Sequence, residues 1–224
     1  MKITTGQKEL KNIKGPVQHH FSRKKNGAGF TIMELTVSVV IIALITAIVV
    51  YNQGDFSDQV ALSNNVHEIE ILVREAQVYG ISVRESSPSS GVFSLAYGVD
   101  FNLLSGGGNN FIISFIDTDQ NGYFTQTGQM CQPGVNECQI RYNITRNNTI
   151  SSLNAIQSND VLAPVSRIAF TYLRPNPAAR FKFYNSGASE VTYPGHKGAR
   201  ITFLSPKGKT QNIYIYTTGE VQIQ

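Results

Sequence analysis

The chain predicts an α+β protein: a long N-terminal hydrophobic helix continuing into an amphipathic helix packed on antiparallel β-sheet. Three features carry that prediction. An uncharged run from Leu35 to Tyr51 follows a basic segment. Helical periodicity then resumes between Leu62 and Gly80, and the remainder reads as short strands separated by Gly, Pro and Asn turns.

A length of 224 residues suits one ordinary domain with an appendage, or two small domains. Charged residues make up 15% of the chain, against a usual level of roughly a quarter. Asn, Ser, Thr and Gly fill the difference, a composition suited to a β-rich extracytoplasmic domain. The net charge of +4 is unevenly placed. Lys2, Lys8, Lys11, Lys14, Arg23, Lys24 and Lys25 precede Gly29 with Glu9 as the one acid, so the rest of the chain is slightly acidic. The basic balance therefore gives no argument for nucleic-acid binding by the body of the protein. Bases ahead of an apolar run are instead the pattern that holds a membrane segment's N-terminus in the cytoplasm.

That apolar run extends from Phe30 to Tyr51. As a helix of about 22 residues it would span roughly 33 Å, enough to cross a bilayer core. A signal peptide has an apolar core of about 7–15 residues and a small-x-small exit; here the core is longer and the exit, Val49-Val-Tyr-Asn-Gln53, offers no such site. A plain single-pass anchor explains the length and the basic flank. It does not explain Glu34, a carboxylate inside the apolar run, which costs on the order of 2.5–3.5 kcal/mol at mid-membrane and so calls for a partner or a task.

Ala28-Gly29-Phe30-Thr31-Ile32-Met33-Glu34-Leu35, with a basic leader before and a long apolar helix after, resembles the processing site of type IV pilins and type II secretion pseudopilins. The resemblance implies that a prepilin peptidase cuts between Gly29 and Phe30 on the cytoplasmic side and N-methylates Phe30. It implies that Glu34 pairs with the N-terminal amine of a neighbouring subunit in a filament. Pairing of that kind rewards one axial register, because a carboxylate buried in hydrocarbon is tolerable only with a partner. The partners so implied are the prepilin peptidase, other pilin or pseudopilin subunits and an inner-membrane assembly platform.

Past the apolar run, Asn52-Gln-Gly-Asp-Phe-Ser-Asp58 is polar and lacks the proline that family members often carry here. The helix is left free to continue, to bend at Gly54, or to restart with Ser57 or Asp58 as a cap. Leu62, Val66, Ile69, Val73, Ala76 and Gly80 then recur at steps of three or four and predict an amphipathic helix whose stripe packs on a sheet. Turn formers from Val83 to Gly91 end it. The expected strands are Val92–Tyr97, Phe111–Ile116, Gln139–Thr145, Arg167–Leu173, Arg180–Tyr184, Arg200–Leu204, Asn212–Thr217 and Val221–Ile223. The clearest hairpin turns through Ser205-Pro-Lys-Gly208. A helix on antiparallel sheet is also what the pilin-like resemblance implies. Within that family the chain looks most like the minor pseudopilin and minor pilin group called GspH/FimT. The organisation expected is a removable leader over 1–29, an assembly helix over 30–51, its amphipathic continuation over 52–84 and a β-rich domain over 85–224.

Asp117-Thr-Asp-Gln-Asn-Gly122 copies the opening of a calcium loop, with oxygen ligands at Asp117, Asp119 and Asn121 and Gly at the sixth position. The twelfth position, where a bidentate Glu belongs, is Gly128, so any affinity would be low. An Asx-rich turn with Gly in a left-handed conformation explains the same letters. Cys131 and Cys138 are the sole cysteines, separated by a Pro-Gly turn, and an exported domain would favour their oxidation to a disulfide. Two free thiols are the alternative.

No nucleotide loop or metalloprotease helix is spelled in the chain. His19 and His20 fall in the leader, which leaves His67 and His196 as too few and too isolated for a triad. The bases from Arg167 to Lys209 are spread over strands and loops, so nucleic acid is not expected as a partner. The reading is of a non-enzymatic structural subunit, held in the cytoplasmic membrane by residues 30–51 with its C-terminal domain outside. No cofactor is expected beyond a weakly held calcium ion. The competing reading is a membrane-anchored extracytoplasmic binding module for DNA or a surface ligand.

Overall fold

The structure is a computed structural model that describes residues 29–82, 91, 94–104, 108–125, 131 and 137–224. The leader up to Ala28, the turn formers from Val83 to Ser90, and Gly128 lie outside the described residues. The chain divides into two compact units, Met1–Ala47 and Ile48–Gln224.

Helix α1 runs from Ile32 to Ile81 and begins in the first unit. Its segment up to Ala47 is apolar on every side and wholly exposed. Such a helix has no single stripe to bury. It is long and apolar enough to cross a membrane. Three hydroxyls in it bond back to main-chain carbonyls: Thr36 Oγ1 to Met33 O (2.9 Å), Ser38 Oγ to Glu34 O (2.7 Å) and Thr46 Oγ1 to Ile42 O (2.7 Å). Each of these three hydroxyls is thereby satisfied within the helix.

Of the three courses open at Gly54, the helix takes the first and continues. Without proline no N–H is lost, and one interior glycine costs only about 1 kcal/mol. In the second unit the stripe that periodicity predicts is the buried one: Leu62, Val66, Ile69, Val73 and Ala76 enter the main core, joined by Leu72.

Among the described residues eleven strands follow: β1 Ala96–Asn102, β2 Phe111–Asp117, β3 Cys138–Asn143, β4 Thr149–Ile156, β5 Leu162–Val165, β6 Arg167–Leu173, β7 Asn176–Tyr184, β8 Glu190–Val191, β9 Gly198–Leu204, β10 Thr210–Tyr216 and β11 Val221–Ile223. They form two sheets, ordered β3-β2-β1-β6-β7-β8 and β11-β10-β9-β4-β5. Every pairing is antiparallel. One core takes Phe101, Ile168 and Phe170 from the first sheet, Leu153, Ile201 and Ile213 from the second, and the stripe of α1. The predicted hairpin is β9–β10, closed by Gly208 N donating to Ser205 O at 3.0 Å with Gly208 at φ 79°.

The strand reading needs correcting in places. The first described strand is Ala96–Asn102; of the expected Val92–Tyr97, Val92 and Phe93 lie outside the described residues, Ser94 and Leu95 are not in strand, and the strand runs on through Gly98 and Asp100. A Cβ on Gly98 would meet Phe170 O at 2.4 Å, so the close approach of β6 demands glycine. Strands β4, β5 and β8 were not expected. β4 carries Ser151, Ser152 and Asn154, which read as loop, yet it is hydrogen-bonded on both sides by β9 and β5. Pro164 in β5 is tolerated because β5 is an edge strand.

Candidate functional site

At the start of α1, Glu34 N donates to Thr31 Oγ1 at 3.2 Å, so Thr31 is the N-cap and Glu34 the third helical residue. Thr31-x-x-Glu34 has the spacing of a capping box, a signal that was present in the sequence and overlooked beside the membrane problem. A carboxylate in the first turn also suits the helix dipole. Gly29 and Phe30 precede the helix in irregular backbone, both exposed, with nothing within 4 Å of the position a Cβ on Gly29 would take. The Gly29–Phe30 peptide bond is thus unencumbered within the described residues.

The second constellation lies in the other unit, where β2 runs out at Asp117. The turn from Asp117 to Thr125 is built from side-chain-to-main-chain bonds. Gly122 N donates to Asp117 Oδ2 (3.0 Å), Asn121 N to Asp119 Oδ1 (3.1 Å) and Tyr123 N to Asn121 Oδ1 (2.8 Å). Gly122 at φ 79° and Gln120 at φ 60° supply the left-handed positions that let these donors point inward.

Glu137 completes the loop, and sequence reasoning missed it. The search for an acid stopped at Gly128, whereas the chain returns along β3 and sets Glu137 beside the β2 end, with Ile116 N donating to Glu137 O at 2.8 Å. Its Oε1 accepts from Thr118 N (2.9 Å), Thr118 Oγ1 (3.0 Å) and Asp119 N (3.2 Å), and its Oε2 accepts from Thr125 N (2.9 Å). The signal available in sequence was its neighbour, Cys138. Cys131 and Cys138 are disulfide-bonded, with Cα atoms 5.2 Å apart, and Cys138 packs against Phe115 and Phe124.

Asp117, Asp119 and Glu137 bring one carboxylate oxygen each within 4.8 Å of one another. Asp117 and Glu137 are buried and Asp119 is exposed. Burial pushes the Asp117 carboxyl up to about 6; the Gly122 N–H works against that shift, while the Glu137 and Asp119 charges add to it. Asn121, named with Asp117 and Asp119 from sequence, belongs to the same turn.

Next to this loop a buried ion pair ties it to the sheet. Arg167 Nε donates to both Asp100 oxygens at 3.1 and 3.0 Å, and Arg167 Nη2 donates to Phe124 O at 2.7 Å. Arg167 also lies over the rings of Tyr123 and Tyr184, at 5.1 and 5.5 Å from their centroids. The two histidines stand elsewhere. His67 is 3.6 Å from Glu70 on the exposed side of α1, and His196 packs edge-on against Phe181 and Phe183.

Comparison with family models, with curated proteins and with solved structures finds no match to the chain.

Proposed function

We propose that this chain is a structural subunit, of the minor kind, of a type IV pilus or a type II secretion pseudopilus. In this reading a prepilin peptidase removes the leader between Gly29 and Phe30 and methylates the new amine. Residues 30–51 then hold the subunit in the inner membrane until an assembly platform and neighbouring subunits draw it into a filament. The β-rich domain stands on the extracytoplasmic side, and the GspH/FimT group is the nearest likeness.

One observation carries the reading: the segment of α1 up to Ala47 is apolar and wholly exposed and contains a single carboxylate, Glu34, in its first turn, directly after the Gly29–Phe30 junction. Helices packed side by side would cover the apolar surface, and a neighbour's amine would answer the carboxylate. The test is substitution of Glu34. Glu34→Ala should still insert in the membrane but fail to enter filaments, read as loss of the subunit from sheared or purified filament fractions. Wild-type incorporation of Glu34→Ala would overturn the reading.

The second reading, an anchored binding module, draws on the bases of the C-terminal half. Arg167, Lys182, Lys197 and Lys207 are engaged with Asp100, Glu190, Asp160 and Asp58. Phosphate binding at these four would have to compete with a carboxylate already in place. That favours the structural reading over the DNA version of the binding one.

A further inference from the structure

We propose that the loop from Asp117 to Thr125, closed by Glu137, is a divalent-cation site of calcium-type chemistry, with Asp117, Asp119, Asn121 and Glu137 as its side-chain ligands. Reckoned from Asp117, the first, third and fifth positions carry oxygen donors and the sixth is a left-handed glycine, as in a calcium loop. The acid that such a loop takes from its twelfth position comes instead from Glu137, across the β2–β3 pairing.

Acidic residues in a cluster do not by themselves make a site, and two further observations point to a cation. Asp117 is only 4% exposed, and its Oδ1 has no hydrogen-bond donor. A buried carboxylate oxygen without a donor, on a side chain grouped within 4.8 Å of two other carboxylates, is an expensive arrangement, and a cation removes the expense. In addition, no Lys, Arg or His forms an ion pair with Asp117, Asp119 or Glu137 among the described residues. Buried Asp100, by contrast, has Arg167. A protein cation is paired with one buried acid in this sheet, and among the described residues none is paired with the other group.

The donor set selects the class of ion. All four side chains offer oxygen and none offers nitrogen or sulfur, which favours a hard cation over zinc or copper. The donors are irregularly spaced on a turn, which suits the flexible coordination of Ca²⁺ better than the strict octahedron of Mg²⁺. Asp117, Asn121 and Gly122 also line a cavity of about 460 Å³ whose lining includes Arg180 and Lys182, so an ion approaching by that route passes two cationic side chains, of which Lys182 is paired with Glu190. Asp119 and Asn121 would exchange loop hydrogen bonds for metal contacts with little main-chain movement, because Gly122 N already holds Asp117 through its other oxygen.

The proposal stands apart from the filament reading, since it concerns the β-rich domain whether or not the leader is cut. The experiment is calorimetric titration of the full chain in detergent, stripped with chelator, using CaCl₂ and then MgCl₂. One saturable Ca²⁺ site with Kd on the order of 10⁻⁴–10⁻³ M is expected, with Mg²⁺ at least about tenfold weaker. Ca²⁺ at ten times Kd should also raise Tm by a few degrees. Glu137→Gln and Asp119→Asn should each weaken Ca²⁺ binding about tenfold or more, while Glu220→Gln, an exposed acid in the other sheet's β10–β11 turn, should leave it unchanged. If Glu137→Gln fails to fold, exposed Asp119→Asn decides alone. Absence of saturable Ca²⁺ binding in the wild type, or wild-type affinity in Asp119→Asn, would overturn the proposal.

Discussion

Glu34 N donates to Thr31 Oγ1 at the first turn of α1, and two tasks can be put to the Glu34 carboxylate. In a capping box it would support the N-cap, Thr31, whose own contribution is on the order of 0.5–2 kcal/mol, and Gln would serve there nearly as well. As the partner of a neighbour's amine it needs its charge. Glu34→Gln therefore distinguishes them: the assembly account predicts loss of filament incorporation with helicity retained by circular dichroism. Normal incorporation would leave Glu34 as a cap. At the same scale, Asp100 is the one buried acid with a cationic partner described. Asp100→Asn leaves Arg167 facing a neutral amide in a buried position, and a loss of about 3–5 kcal/mol is expected in urea denaturation. A loss below about 1 kcal/mol would show that water reaches the pair more freely than its burial indicates.

α1 is the element in which the chain's two surroundings are written most plainly. Up to Ala47 it is apolar all round; from Leu62 it shows one buried stripe. Ile69 and Ile71 sit two residues apart, yet Ile69 is fully buried and Ile71 is 63% exposed. Ile69→Ala should cost about 2–5 kcal/mol in thermal or urea unfolding, and Ile71→Ala should stay within about 0.5 kcal/mol. Equal losses would mean that the helix is rotated from the orientation described. Gly80 closes the stripe for a steric reason, since a Cβ there would meet Tyr172 O at 2.5 Å. The helix was legible because 3.6-residue periodicity is a local signal. β4 was not, because Ser151, Ser152 and Asn154 carry polar side chains whose placement depends on β9, some fifty residues later. Glu137 was hidden for the same reason: its role comes from strand pairing and not from loop spacing.

At the scale of the molecule, α+β architecture follows from one apolar-to-amphipathic helix and many short strands. Sheet order does not follow from them. β1 lies between β2 and β6, and β4 between β9 and β5, and the β1–β6 and β4–β9 pairings join strands far apart in the chain that no local pattern announces. The loop chemistry inherits that difficulty, whereas the apolar segment of α1 sits in one uninterrupted stretch and its length and hydropathy were readable at once. That stretch bears the central claim, that the chain is a precursor cut at Gly29–Phe30 and assembled through α1. The most direct measurement is intact mass together with N-terminal sequencing of the protein expressed alongside a prepilin peptidase. A mature chain beginning at N-methylated Phe30 is the result predicted. A chain that keeps residues 1–29, or one cut after Tyr51, would contradict it and leave a tethered or secreted β-rich domain.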